Sequence, residues 1–227
     1  MKLKYSILAA SLLGMAAVNG ATVAWSSGAF TTSGGIGATL DAGQFATDGT
    51  EILAENIGGG ALTFDGINFA AGTVVFAGGT AAVFHENIPT ANTLLAREGT
   101  YGVDGAADTV SLSGLTIGNT YRIQALVYDG RGDAGITGRT IEFDGLNQNQ
   151  YANGVSGSTW GDGLLVTGTF VADATTQDFT VEAFTGATSK GGQLNALLVH
   201  ETAVVPEPTT TALLGLGGLA LILRRRK

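Results

Sequence analysis

Residues 110–129 read VSLSGLTIGNTYRIQALVYD, and the fold can be worked out from this stretch. It begins with Leu112-Ser113-Gly114-Leu115, passes through a turn, and reaches Tyr121 at the start of an alternating run. Successive side chains of a strand point to opposite faces, so Tyr121, Ile123, Ala125 and Val127 share one face.

The stretches on either side repeat the grammar of short strands and tight turns. ALTFDGINFAAG (61–72) is a hairpin: a two-residue Asp65-Gly66 turn pairs Phe64 with Ile67 and Leu62 with Phe69, and sets Thr63 and Asn68 on the opposite face. TIEFDGLNQ (140–148) uses the same turn at Asp144-Gly145, pairing Phe143 with Leu146. LLVTGTFVAD (164–173), TQDFTVEAFT (176–185) and GGQLNALLVHE (191–201) follow at short intervals. In the last of these, Leu194, Ala196 and Leu198 alternate with Asn195, Leu197 and Val199, so both faces are largely apolar, as in a central strand. No run has the period of a three-turn amphipathic helix, and TANTLLAREGTYG (90–102) holds one short turn. The expectation is an all-β sandwich or barrel.

The Leu-x-Gly-Leu, turn, Tyr pattern resembles the tyrosine corner of fibronectin-type sandwiches, where the Tyr hydroxyl closes the turn. It also resembles the matching segment of galactose-binding-like jelly rolls, many of them carbohydrate-binding modules. A fibronectin-type domain has about one strand left after this point, whereas three or four remain here. The resemblance therefore implies a single jelly-roll-like β-sandwich. It covers about 20 residues and carries no functional residue with it.

Both ends of the chain differ from this body. Lys2 and Lys4 precede the apolar run YSILAASLLGMAAV, and Val18 and Gly20 suit the −3 and −1 positions of a secretory signal peptide cut before Ala21. At the other end VVPEPTTTALLGLGGLALILRRRK (204–227) contains Pro206-Glu207-Pro208, an uncharged run, and a basic cluster of Arg224, Arg225, Arg226 and Lys227. Basic residues stay on the cytoplasmic side, which puts the body outside the inner membrane. From Pro208 to Leu223 is 16 residues, about 24 Å as helix against a hydrocarbon core of roughly 30 Å. Such a short transmembrane helix suits temporary residence.

Those three parts, in that order, resemble the PEP-CTERM sorting signal. The resemblance implies an inner-membrane anchor that holds the exported protein until an exosortase-type membrane protease processes it near the Pro-Glu-Pro motif. The product then passes to the cell surface or the extracellular polysaccharide matrix. The prolines keep the motif extended, the form a protease can take. The organisation expected is thus a signal peptide (1–20), a β-sandwich (21–203) and a sorting tail (204–227).

Of 11 basic residues six lie in the two ends, and of 19 acidic residues only Glu207 does, so five basic and 18 acidic residues leave the body near −13. Such a surface repels nucleic acid and anionic lipid, and excludes both as partners. With no cysteine in the chain, thiol catalysis, zinc thiolates and iron–sulfur clusters are excluded, and a body of this size needs no disulfide. His85 and His200 are the only histidines, too few for a three-histidine metal site, and no HExxH motif or G-x-S-x-G elbow occurs. His85 stands beside Glu86 in FHENIP, which matters only if another ligand folds nearby. A glycosidase needs two opposed carboxylates, and nothing marks such a pair among the 18.

YDGRGDAG (128–135) is the richest in charge, and Asp129 and Asp133 with loop carbonyls could ligate calcium, although the same stretch also reads as a solvated loop. For a sugar-binding sandwich the contacts would be ring faces, from Trp25, Tyr101, Tyr128, Tyr151 and Trp160. Trp160, in the polar, Gly-rich SGSTWGDG (156–163), is the best placed, with Tyr151 nearby in sequence. Three functional classes follow. The first is an exported non-catalytic surface or matrix protein, with polysaccharide as its ligand. The second is a calcium-dependent or soluble-ligand binding module, and the third a glycan-active enzyme.

Overall fold

The computed structural model of the chain describes residues 20–33, 39–72, 76, 78–84, 94–130, 138–150 and 163–203. In chain order the strands are β1 (Ala24–Phe30), β2 (Thr32–Ser33), β3 (Thr39–Leu40), β4 (Thr50–Asn56), β5 (Leu62–Phe64), β6 (Ile67–Ala71), β7 (Thr80–Val83), β8 (Glu98–Tyr101) and β9 (Asp108–Ser113). They continue as β10 (Thr120–Val127), β11 (Thr140–Phe143), β12 (Leu146–Gln150), β13 (Gly163–Val171), β14 (Thr176–Thr185), β15 (Thr188–Ser189), β16 (Gln193–Leu194) and β17 (Ala196–Ala203). The one helical turn among the described residues, α1 (Leu94–Arg97), lies within the segment expected to hold one. No helix among the described residues is long and apolar enough to cross a membrane, and the proposed tail helix lies outside them.

The chain folds as a jelly-roll-like sandwich. Seven strands form the main sheet in the order β1-β13-β10-β17-β4-β6-β5, and β12-β11-β14 with β9 and β15 form the second. From β9 onward the chain crosses back and forth: β9 lies in the second sheet, β10 in the main sheet, β11 and β12 in the second, β13 in the main, β14 in the second and β17 in the main. A small sheet, β16-β8-β7, flanks them.

Alternation along β10 and β17 divides the core in two. Tyr121, Ile123, Ala125 and Val127, with Leu197 and Val199, face the second sheet and pack against Val110, Ile141, Phe143, Phe179 and Val181. On the opposite face Leu126, Ala196 and Leu198 meet Phe64, Ile67 and Phe69 of the first hairpin, together with Phe45, Leu95 and Ala96. β17 is thus central, as expected, with both faces covered. The expected alternation fails at one point. Leu194 joins the first cluster instead of sharing a face with Ala196 and Leu198, because the strand breaks at Asn195 between β16 and β17.

Both Asp-Gly hairpins have the expected register, Leu62 opposite Phe69 and Phe64 opposite Ile67 in one, Phe143 opposite Leu146 in the other. The backbone explains the residues. Asp65 and Gly66 have φ of 53° and 79°, and Asp144 and Gly145 have 51° and 74°, the left-handed pair that a type I′ turn requires and that Asp and Gly tolerate best. Thr63 Oγ1 donates to Asn68 Oδ1 at 2.7 Å across the exposed face of the first hairpin.

The tyrosine corner forms as well. Tyr121 is fully buried. Its hydroxyl accepts the Thr116 amide hydrogen at 2.8 Å and donates to Glu201 Oε2 at 2.9 Å. β17 is thereby tied to the turn that precedes β10. Tyr121→Phe keeps the ring and removes both bonds, so we expect a loss of about 1 kcal/mol. In a domain of this size that lowers the melting temperature by about 2–4 °C. Thermal denaturation of the purified variant measures it.

Candidate functional site

The register of β10 gives the domain two poles. At its first residue, Thr120 pairs with Ala203, the last described residue before the sorting tail, and with Val171. At its last, Val127 pairs with Leu164 near the start of β13. Seven residue steps of strand separate these ends, roughly 23 Å. The chain leaves the main sheet after β10, enters the second at Thr140, leaves it at Gln150 opposite Thr140, and re-enters the main sheet at Gly163. Both crossovers therefore start and finish at the pole away from the tail. Asp133 lies on the first, Tyr151 and Trp160 on the second, all three outside the described residues.

At this pole the last residues of β10 run on into the core. Tyr128 N donates to Asn195 Oδ1 at 2.7 Å, Gln193 Nε2 to Tyr128 O at 2.6 Å, and Asn195 N to Leu126 O at 2.9 Å. Asn195 Nδ2 spans to the carbonyls of Ala96 and Glu98 at 3.2 and 3.0 Å. Asn195 is completely buried and occupies the strand break, so one amide side chain joins β10, α1 and β8. A lone Asn inside the apolar run QLNALLV was the available signal for this role, and sequence reading passed over it.

Burial revises two readings. Asp129 is only 1 % exposed, so it is not part of a solvated loop. Tyr128 is core as well, buried in the cluster that holds Leu126 and Ala196, and does not offer a platform. Among the described residues, no group of three or more His, Cys, Asp or Glu comes together as a metal set. Trp25 is half-buried, with ring centroids 4.8 Å from Phe143 and 5.3 Å from Phe179, and its Nε1 donates to Asp144 Oδ2 at 2.8 Å. It sews β1 to the β11–β12 turn. Tyr101, 39 % exposed at the end of β8, does present a ring to solvent.

Asp108 is buried, its Oδ2 accepting from Gly192 N at 2.6 Å, and burial raises its pKa above the usual carboxylate value. Register sets Glu142 opposite Glu182, both half-buried, where two like charges oppose each other without forming a metal set. His85 lies outside the described residues. His200 is buried on the outer face of the main sheet, between Arg122 and Glu51 on neighbouring strands. Above this face Gln124 holds Ala46 by its N–H and its carbonyl, both at 2.8 Å, while Arg122 bonds Ala46 O, Asp48 O and the Asp48 carboxylate. Burial first, and then the Arg122 charge, hold the His200 imidazole below its ordinary pKa of 6.5, with Glu51 and Asp48 pulling the other way.

Comparison with known proteins places the tail. Residues 204–227 match the PEP-CTERM protein-sorting motif. Fold and tail together define an exported β-sandwich protein carrying a sorting signal, which implies processing by an exosortase. No curated protein sequence matches the chain. Among solved structures, the ANX1 ectodomain from Arabidopsis thaliana is similar at 12 % identity and a TM-score of 0.46, over 70 % of this chain and 52 % of that one. The Arabidopsis thaliana ANX2 ectodomain is similar at 13 % identity and 0.43, over 66 % and 49 %. The plant complex of the peptide RALF23 with FER and LLG2 gives 12 % and 0.44, over 66 % and 48 %. This chain therefore spans about half the length of the chains it matches.

His200 makes a pH prediction. Its folded pKa lies below its unfolded one, so the unfolded chain takes up the proton first. Its contribution to stability is intact above the unfolded pKa, near pH 6.5, and is lost as pH falls through the folded value. The melting temperature should fall from pH 7 to pH 5, and His200→Gln should flatten that slope. Thermal melts across this range, with both proteins in the same buffers, give the comparison.

Proposed function

We propose that the body is a non-catalytic surface or matrix protein that grips extracellular polysaccharide through the crossovers at the pole opposite its tail. The observation that carries this reading is the pairing at the two ends of β10, Ala203 at one and Leu164 at the other. While the tail still holds the domain, Val127 and Leu164 lie at the end of β10 away from it, so binding there and anchoring do not compete. The charge narrows the ligand. With five basic against 18 acidic residues between 21 and 203, and Arg122 and Lys190 engaged with Asp48 and Asp104, the body repels polyanions. A neutral polysaccharide fits it better than an acidic one.

Trp160, between Ser158 and Asp162, is the ring proposed to stack on the sugar, with Tyr151 on the same crossover as its partner. Covering a Trp face contributes about 1–2 kcal/mol at roughly 25 cal/mol per Å² over several tens of Å². Trp160→Ala should weaken retention on matrix polysaccharide about tenfold and leave the melting temperature unchanged. A variant that melts early but binds normally while folded would make Trp160 a packing residue and remove the basis for the site.

Processing gives the second prediction. Protein recovered from the extracellular fraction should end between Val205 and Thr209 and lack Arg224–Lys227. Intact-mass spectrometry distinguishes that product from the full tail, and recovery of the complete basic cluster outside the cell would contradict it.

A further inference from the structure

The chain is expected to be cut at a point where the fold has gathered two acceptors. Ala21 packs against the core between the large sheets, next to the buried Val23. Its backbone nitrogen donates to Asp173 Oδ1 at 3.1 Å. Asp173 stands in the β13–β14 connection, which is itself fixed to the tyrosine corner. There Ala172 N donates to Asn119 O at 2.9 Å, Gly118 N to Ala172 O at 2.7 Å and Leu115 N to Thr175 O at 3.1 Å.

Beside Gly20 lies Gln177, 4 % exposed. Its Nε2 donates to Asp178 O at 2.7 Å, while its Oε1 is buried without a hydrogen-bond partner. A methyl group on Gly20 would come within 2.8 Å of that oxygen. A carboxylate and an unsatisfied amide oxygen thus flank a linkage whose Ala21 nitrogen, as an amide, carries one hydrogen. Buried polar atoms ordinarily find a partner, so the orphan needs an explanation.

We propose that Asp173 and Gln177 form the receptor for the mature N-terminus. Hydrolysis of the Gly20–Ala21 bond takes up one water, leaves a carboxylate on the departing Gly20, and leaves on Ala21 an amine that is protonated at neutral pH. The ammonium has three hydrogens and a charge. It pairs with the Asp173 carboxylate and supplies a donor for Gln177 Oε1. The precursor therefore lacks an ion pair and carries an unsatisfied oxygen, and removal of the signal peptide completes the domain at its tail pole. A precursor that is the less stable form is also the easier one to keep unfolded for export.

The sign of the pH dependence is fixed. A carboxylate neighbour raises the amine's pKa in the folded state, so the added stability is present below the unfolded value, about 7.7–8.0. It disappears as pH rises through the folded value.

The test uses the full chain, exported by a host without an exosortase and extracted in detergent with its tail. N-terminal sequencing should read Ala-Thr-Val-Ala-Trp. The pH dependence of acylation of the α-amine should place its titration about half a unit above the ordinary range. The melting temperature should exceed that of Asp173→Asn by about 1–3 °C at pH 6.5, with the gap closed by pH 10. A chain with Gly-Ser inserted between Gly20 and Ala21 keeps the Ala21 amide and moves the ammonium away, and should melt no higher than Asp173→Asn, because it loses the donor to Gln177 Oε1 as well as the ion pair. A different N-terminal residue refutes the cleavage position and the proposal with it. With Ala21 confirmed, an amine titrating in the ordinary range, or a stability gap that persists unchanged to pH 10, shows that the contact is only an amide hydrogen bond and overturns the receptor.

Discussion

Tyr121 lies with its ring between the two large sheets and its hydroxyl shared between Thr116 and Glu201. It fixes one end of a strand with neighbours on both edges and core on both faces. A one-residue slip of β10 would exchange its faces, driving Arg122 and Gln124 into the inter-sheet core and pulling Tyr121 and Ile123 out of it. The corner therefore sets the register that β13 and β17 must follow, and through them where the crossovers and the tail leave the sheet.

What the sequence disclosed and what it withheld divide by range. Asp65-Gly66 and Asp144-Gly145 carry their turn chemistry in two adjacent residues, and both hairpins follow from it. The face shared by Tyr121, Ile123, Ala125 and Val127 follows from period alone. Leu194 was misplaced because alternation assumes an unbroken strand, and the break at Asn195 is made by partners on α1, β8 and β10, about 70 to 100 residues away in sequence. Asp129 and Tyr128 looked like a polar loop because Gly and Asp follow them, whereas Gln193 and Asn195 hold that stretch against the core. For the site itself, composition and the tail disclosed the export route. The separation of the poles needed strand pairing, which no local pattern supplies.

Polar side chains perform much of the joining in a chain without cysteine. Trp25 reaches Asp144, Asn195 reaches three elements, and Arg122 with Gln124 fastens the segment carrying Ala46 and Asp48 over the outer face. Each bridge is a hydrogen bond or a partly shielded ion pair, so an oxidising exterior neither strengthens nor threatens it.

The direction of β17 matters if the domain is pulled. Its C-terminal end leads to the tail, and its hydrogen bonds to β10 and β4 run on both sides across the strand axis. Tension applied from the tail against a load at the far pole acts along that axis. The two ladders are then sheared together instead of being peeled one bond at a time, and a strand gripped in this way resists extraction far better than one at a sheet edge. A domain still tethered by its tail is thus held by its most firmly seated strand.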